Sequence, residues 1–194
     1  MTTGAAALLD GAGSWAERCV DLLGTAVLGR LTDRAVTVEA CLSRATTEVL
    51  RTREGAVDAR GGAPHRLGAA VVRAGDGTLE WLVFNGAVVM LDLPSGLEVC
   101  THDSAAGREP AVGGPVSGRV ELGTVRQAAV LSSGAARLVT FGVAVWEQMM
   151  DTLAKDGPQV LIDEVRAFEA IDPERRLWPR SGVTADATAV YLRF

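Results

Sequence analysis

Between Leu67 and Thr101 the chain changes its period. Four short runs, "LGAAVVRA", "LEWLVF", "AVVMLDL" and "LEVCT", are rich in β-branched and aromatic residues and are separated by "GDG", "NG" and "PSG". Runs this short, punctuated by turn residues that accept positive φ, are strands and not helices, and in succession they predict an antiparallel meander. That constrains everything else. An apolar sheet face must be covered, so the flanking segments have to supply the layers that cover it.

The flanks read accordingly. "AAALL" (5–9) predicts a short buried strand, and Ser14 with Glu17 forms a capping box that starts a helix. Trp15, Cys19, Leu22, Leu23, Ala26, Val27 and Leu31 recur at helical spacing and predict its buried face. A second amphipathic helix follows over about Thr37 to Thr52, with Val38, Cys41, Leu42, Ala45 and Val49 inward. The Gly- and Pro-dense segment 107–118 reads as a surface loop, "AAVLSS" as a strand, about Thr140 to Lys155 and Pro158 to Ile171 as helices, and "ATAVYLRF" as a closing strand. Strand, two helices, several strands, two helices, strand: the order is layered α+β, with helices on both sides of an antiparallel sandwich. A chain of 194 residues that is 48% hydrophobic fits one such domain spanning 1–194.

Charge and cysteine content narrow the function classes. A net charge of −5 without any Lys/Arg run argues against a nucleic-acid surface. No apolar run has the length of a membrane span, no basic leader precedes the first strand, and Cys19, Cys41 and Cys100 lack the paired spacing of zinc sites or disulfide frameworks. The expectation is a cytoplasmic protein that binds neither nucleic acid nor membrane. Oligomeric state is not readable from these patterns.

Three short pieces line up with one family. "LLDGAG" (8–13), "AVLSSGAARLV" (129–139) and "ADATAVYL" (185–192) resemble, in order and spacing, the metal-binding motifs of the type 2C metal-dependent Ser/Thr protein phosphatases, the PPM family. "HRLGAAVVRAGDGTLEWLVFNGAVVML" and the following "EVCTHD" are similar to that family's central strands. The resemblance covers almost the whole chain from Leu8 and implies a four-layer α-β-β-α sandwich with antiparallel sheets, the same layering that the periods predict. In active members of the family, two Mg²⁺ or Mn²⁺ ions held by carboxylates and a backbone carbonyl activate a water that attacks phosphorus.

By that resemblance Asp10 matches the bridging aspartate and Gly11 the carbonyl donor. The later positions depart from the pattern. Ser133-Gly134 stands where the family has Asp-Gly, Ala185-Asp186 where it has Asp-Asp or Asp-Asn, and Asn85-Gly86-Ala87 where it has Gly-Asp-Ser. The acidic first strand that the family places upstream of the bridging aspartate is missing as well. Two dications repel each other unless several carboxylates surround them, so Asp10 is not expected to hold a pair. A single weak Mg²⁺ or Mn²⁺ is the most that Asp10, with Asp186, Asp103 or His102, offers.

The resemblance therefore implies a phosphatase-fold protein with an incomplete metal site, acting as a non-catalytic binding or regulatory module whose partner is a protein or an apolar small molecule. The alternative is a metal-independent enzyme of specialised metabolism that uses the former metal cleft as a small-molecule pocket. A third is residual Mn²⁺- or Mg²⁺-dependent phosphoprotein phosphatase activity. Asp10 itself stays open between ligand and turn residue, its carboxylate favoured near the start of the next helix.

Other residues carry weaker signals. Ser132 and Ser133 lack a neighbouring base in any recognisable pattern. His65 and His102 are the only imidazoles and share no metal spacing. The loop "PERRLWPRSG" combines Trp178 with Arg175, Arg176 and Arg180, a composition suited to an anion or a partner. N-terminal nucleophile hydrolases share the layering and would use Thr2, but the single lysine, Lys155, sits at a helix end far from it in sequence.

Overall fold

Two four-stranded antiparallel sheets stack face to face in the computed structural model, which describes residues 4–11, 14–51, 67–102, 114–180 and 182–194. Thr2, His65 and Asp103 lie outside the described residues, as do the side chains of Ser14, Trp15, Glu17 and Cys19 and most of the predicted loop at 107–118.

The first sheet has the order β1-β2-β3-β6, with β1 at Gly4–Gly11, β2 at Leu67–Gly75, β3 at Thr78–Phe84 and β6 at Val116–Glu121. The second has the order β5-β4-β7-β8, with β4 at Val88–Leu93, β5 at Gly96–Thr101, β7 at Gln127–Leu131 and β8 at Ala189–Arg193. Helices α1 (Ser14–Leu31) and α2 (Val38–Arg51) cover the first sheet. A short α3 (Arg137–Thr140), α4 (Trp146–Lys155) and α5 (Pro158–Ile171) cover the second. The result is the α-β-β-α sandwich.

Side-chain alternation builds three apolar layers from this order. In β2, Ala70, Val72 and Ala74 face the other sheet, while Ala69 and Val71 face α1 and α2. In β4, Val89, Leu91 and Leu93 point between the sheets, while Val88 and Met90 meet the second helical layer. Both sheets are buried on both faces at their centres, which accounts for their near-continuous apolar runs.

The helices follow the predicted spacing closely. Val38, Cys41, Leu42, Ala45 and Val49 of α2 are all buried. Thr37 caps that helix, its hydroxyl accepting from the Ala40 amide at 3.3 Å. Leu23, Val27 and Leu31 of α1 are buried, whereas Leu22 is turned to solvent. Pro158 opens α5 after Gly157, whose φ of 90° few other residues adopt. Cys41 and Cys100 are free and buried, and burial, with Glu98 beside it, pushes the Cys100 thiol up to about 12.

Three expectations are corrected. The four runs of 67–101 are not one meander. Asp76-Gly77 closes the β2–β3 hairpin within one sheet, but Asn85-Gly86, also with two positive φ values, carries the chain from β3 in the first sheet to β4 in the second. The segment ending at Gly118 is not all loop, because Val116–Glu121 pairs with β3. The helix expected from Thr140 is broken at 142–145: Gly142 has a φ of 70°, and α4 starts at Trp146 with the Val145 amide bonded to Gln148 Oε1 at 3.0 Å.

A polar tie holds the first helical layer to its sheet. Arg73 of β2 is 1% exposed, and its guanidinium donates to Glu80 Oε2 at 2.8 Å and to the carbonyls of Asp33 (2.9 Å) and Val36 (2.7 Å) in the α1–α2 connection. Arg119 of β6 reaches the other Glu80 oxygen at 2.8 Å. Burial opposes the charge on Glu80, but the hydrogen bonds from Arg119 and Arg73 outweigh it and hold its pKa below the usual value.

Candidate functional site

Asp10 lies near the end of β1, opposite Gly68 in the register, at the edge of the first sheet. Two stretches distant in sequence, 132–134 and 185–188, meet it from the second sheet. Ser132, 1% exposed, ties these two together. Its amide donates to the Thr188 carbonyl at 3.0 Å, and its Oγ donates to the Asp186 carbonyl at 3.2 Å while accepting from the amides of Thr188 (3.0 Å) and Ala135 (3.3 Å). A single buried hydroxyl thus sets how the turn after β7 meets the approach to β8.

Gly134 completes the join. It is buried, and a Cβ added there would fall inside the van der Waals radius of the Asp186 carbonyl oxygen, so only glycine lets the two stretches approach this closely. The Asn85-Gly86 turn packs from the other side: a Cβ on Gly86 would sit 3.3 Å from the Ser133 Cβ.

Here Ser133 donates its hydroxyl to Asp10 Oδ2 at 3.2 Å. Burial raises the Asp10 pKa above the ordinary 3.8, against the Ser133 hydrogen bond that lowers it; the nearby Asp186 charge adds to the rise and a bond from the Gly11 amide opposes it. Asp186 is exposed and Ala185 half-buried. The structure thus brings Asp10, Gly11, Ser133, Gly134, Ala185 and Asp186 to one end of the sandwich. His102 makes an edge-to-face contact with Phe84, ring centroids 5.3 Å apart.

Among the described residues, the donor set falls short of what a pair of hard divalent ions requires. Mg²⁺ requires six oxygen ligands in near-octahedral geometry, and bringing two such ions together takes several shared carboxylates. Among the described residues, Asp10 and Asp186 are the carboxylates whose charges meet at this end, and Gly11 lies beside them in β1. Among the described residues, no three His, Cys, Asp or Glu side chains group in a way that could hold a metal ion.

The Trp178 loop is built differently. Trp178 stacks on Phe141 (centroids 4.9 Å, planes 18° apart), meets Phe168 edge-on at 5.9 Å and donates its indole N–H to the Phe141 carbonyl at 2.8 Å. Arg180 is turned inward, its side chain 6% exposed, and donates to Asp172 Oδ2 (2.8 Å) and to the Asp172 carbonyl (2.6 Å) while lying over the Phe141 ring. Asp172 also accepts from the amides of Arg176 (2.7 Å) and Trp178 (3.0 Å). Burial disfavours its charge, yet the Trp178 amide, Arg180 and the Arg176 and Leu177 amides together lower its pKa to about 2. Arg176 pairs with Glu174 at 2.7 Å, and Arg175 donates to the Arg180 carbonyl at 3.4 Å.

Of the residues that shape these places, sequence reasoning weighed Ser132 only as a nucleophile and did not single out Asp172. Ser132 was separable from Ser133 only by strand parity, which puts it on the inner side of the turn. Asp172 carried a better signal, since Asp followed by Pro commonly starts a turn in which the carboxylate takes backbone amides.

The chain matches no known family profile and no curated protein. Solved structures do match it. PppA of Pseudomonas aeruginosa, described as a key regulatory component of T6SS, aligns over 98% of this chain and 86% of its own, at 13% identity and a TM-score of 0.63. The serine/threonine phosphatase Stp1 of Staphylococcus aureus aligns over 99% and 84% at 11% identity, TM-score 0.62. The Mycobacterium tuberculosis serine/threonine phosphatase PstP aligns over 98% and 89% at 15% identity, TM-score 0.56. At these identities the likeness is one of fold: the chain has the architecture of the PPM-type phosphatases.

Proposed function

We propose that this phosphatase-fold chain is a binding or regulatory module without ordinary metal-dependent turnover, acting on a protein partner. The observation that carries the reading is the Ser133 hydroxyl bonded to Asp10 at 3.2 Å, at the position where the resemblance puts a second metal-binding carboxylate. Gly134 and Ser132 keep the close approach of the two loops, so the backbone of the site is retained while its charge is thinned.

Calorimetric titration with Mn²⁺ and Mg²⁺, run beside hydrolysis of p-nitrophenyl phosphate, tests it. The wild type is expected to show neither two-ion binding nor Mn²⁺-stimulated hydrolysis. Ser133→Asp combined with Ala185→Asp is expected to raise Mn²⁺ affinity by about tenfold or more, equivalent to about 1.4 kcal/mol. Tight wild-type Mn²⁺ binding that Asp10→Ala abolishes, accompanied by metal-dependent hydrolysis, would overturn the reading and restore a phosphatase.

A further inference from the structure

The edge strands of the two sheets are β1, β6, β5 and β8, and they are not protected alike. An edge strand directs the N–H and C=O of every second residue away from its neighbour, and charges, prolines, bulges or shortness keep other strands from pairing there. β6 carries Arg119 and Glu121, β5 carries Glu98, and β8 has only five residues and ends in Arg193. β1 is the longest of them, with eight residues reading GAAALLDG. It has no proline and no charge from Gly4 to Leu9, and its register with β2 runs one for one from end to end without a bulge.

A row of outward peptide groups is matched by another strand, and the side chains of β1 fit a particular one. Set antiparallel to itself about a two-fold axis at Ala7, the strand places Ala6 opposite Leu8, Ala5 opposite Leu9 and Gly4 opposite Asp10. The small half of each strand then faces the large half of the other. Both residues of every pair have the same parity, so outward peptide groups meet each other and each sheet face continues across the seam. Asp10 meets a glycine and not its own copy, which keeps like charges from standing directly opposite. The helix above this edge agrees. α1 packs on β1, where a Cβ added at Gly24 would lie 3.7 Å from Leu9 Cδ1, and α2 flanks α1 on the side where Arg30 pairs with Glu48. At about 100° per residue, Leu28 lies about 160° round the helix from Arg30 and about 40° beyond Gly24, on the open side of β1. It is 47% exposed, and it continues onto the helix the apolar edge formed by Ala5, Ala7 and Leu9.

We propose that β1 pairs antiparallel with β1 of a second copy of this chain, joining two four-stranded sheets into one of eight with the two α1 helices side by side above the seam. The contact is isologous: each copy offers the same edge, so assembly closes at two. Peptide hydrogen bonds fix the register, and the burial of Leu28 with Ala5, Ala7 and Leu9 adds the apolar gain. The pairing stands whether or not the reading of the metal site is correct.

Sedimentation equilibrium at about 100 μM, where a contact of micromolar affinity is saturated, tests the proposal. A species of twice the 20.3 kDa chain mass is expected. Ala5→Lys sets a charge on the open edge and is expected to weaken the dimer by about tenfold or more. Leu28→Asp is expected to act in the same direction from the helix. Both positions are exposed, so each variant should keep the wild-type circular dichroism spectrum. Ala7→Cys sets two thiols at the axis, with Cα atoms about 4.5–5.5 Å apart, and mild oxidation should link the chains far beyond the wild-type level. A monomer at this concentration, a dimer that both Ala5→Lys and Leu28→Asp leave intact, or a dimer that Ala7→Cys does not link would overturn it, as would assembly that continues past two copies.

Discussion

Asp10 and Asp172 are both carboxylates at the end of a regular element, and the protein treats them in opposite ways. Asp172, just beyond α5, is surrounded by donors: one arginine and a set of backbone amides bring its pKa down to about 2. Asp10, in the last turn of pleat of β1, receives one side-chain hydroxyl and lies near another acid, and its pKa rises. A carboxylate that is saturated by its own fold is structural and has nothing left to offer a ligand. One that is half-buried and short of donors keeps acceptor capacity, which is the signature of a site or of one that has lost its ligands.

The sharpest way to break the contrast is on the saturated side. Glu169 of α5, 1% exposed, joins the same region by pairing with Arg137 and, at 2.6 Å, with Arg166. Glu169→Ala leaves the mostly buried Arg137 without its partner and is expected to lower unfolding stability by about 3–5 kcal/mol in chemical denaturation. The next effect is at the other end. Gly134→Ala drives a methyl into the Asp186 backbone and should cost about 1–3 kcal/mol while displacing Asp186, visible as shifted amide resonances at 185–188.

The smallest effect is the most diagnostic, because its sign differs between the two carboxylates. The lowered pKa of Asp172 contributes stability that is fully present above the ordinary value of 3.8 and is lost as pH falls toward about 2. The raised pKa of Asp10 does the reverse: its contribution is present below 3.8 and lost as pH rises through the folded value. Asp172→Asn should therefore destabilise near neutrality and flatten the acid limb of the stability curve. Asp10→Asn should stay within about 0.5 kcal/mol of the wild type at neutral pH, with no net loss. Melting temperatures of both variants from pH 2 to 7 check the signs.

How much of this was legible in the sequence depended on the physics that wrote each part. The buried face of α2 could be read residue by residue because a helix on a sheet imposes a 3.6 period. The crossing at Asn85-Gly86 could not. Strands buried on both faces lose the alternation that assigns a side, so β3 and β4 looked like neighbours when they belong to different sheets. β6 was hidden by its own composition: Gly118 sits in that strand because the Trp81 ring occupies the space where its side chain would be. At the candidate site, Asp10, Ser133 and Asp186 are far apart in sequence and no local period connects them. Only the family resemblance grouped them, and the structure then brought them to one end of the sandwich.

The Arg73 tie has a consequence for how the molecule comes apart. Its guanidinium joins the α1–α2 connection to the β2–β3 hairpin and, through Glu80, to β6, across separations in sequence that local folding cannot bridge. The first two helices therefore cannot peel from the sheet without stranding a buried cation. That makes helices and sheet one cooperative unit, whose slowest-exchanging amides open together and not layer by layer.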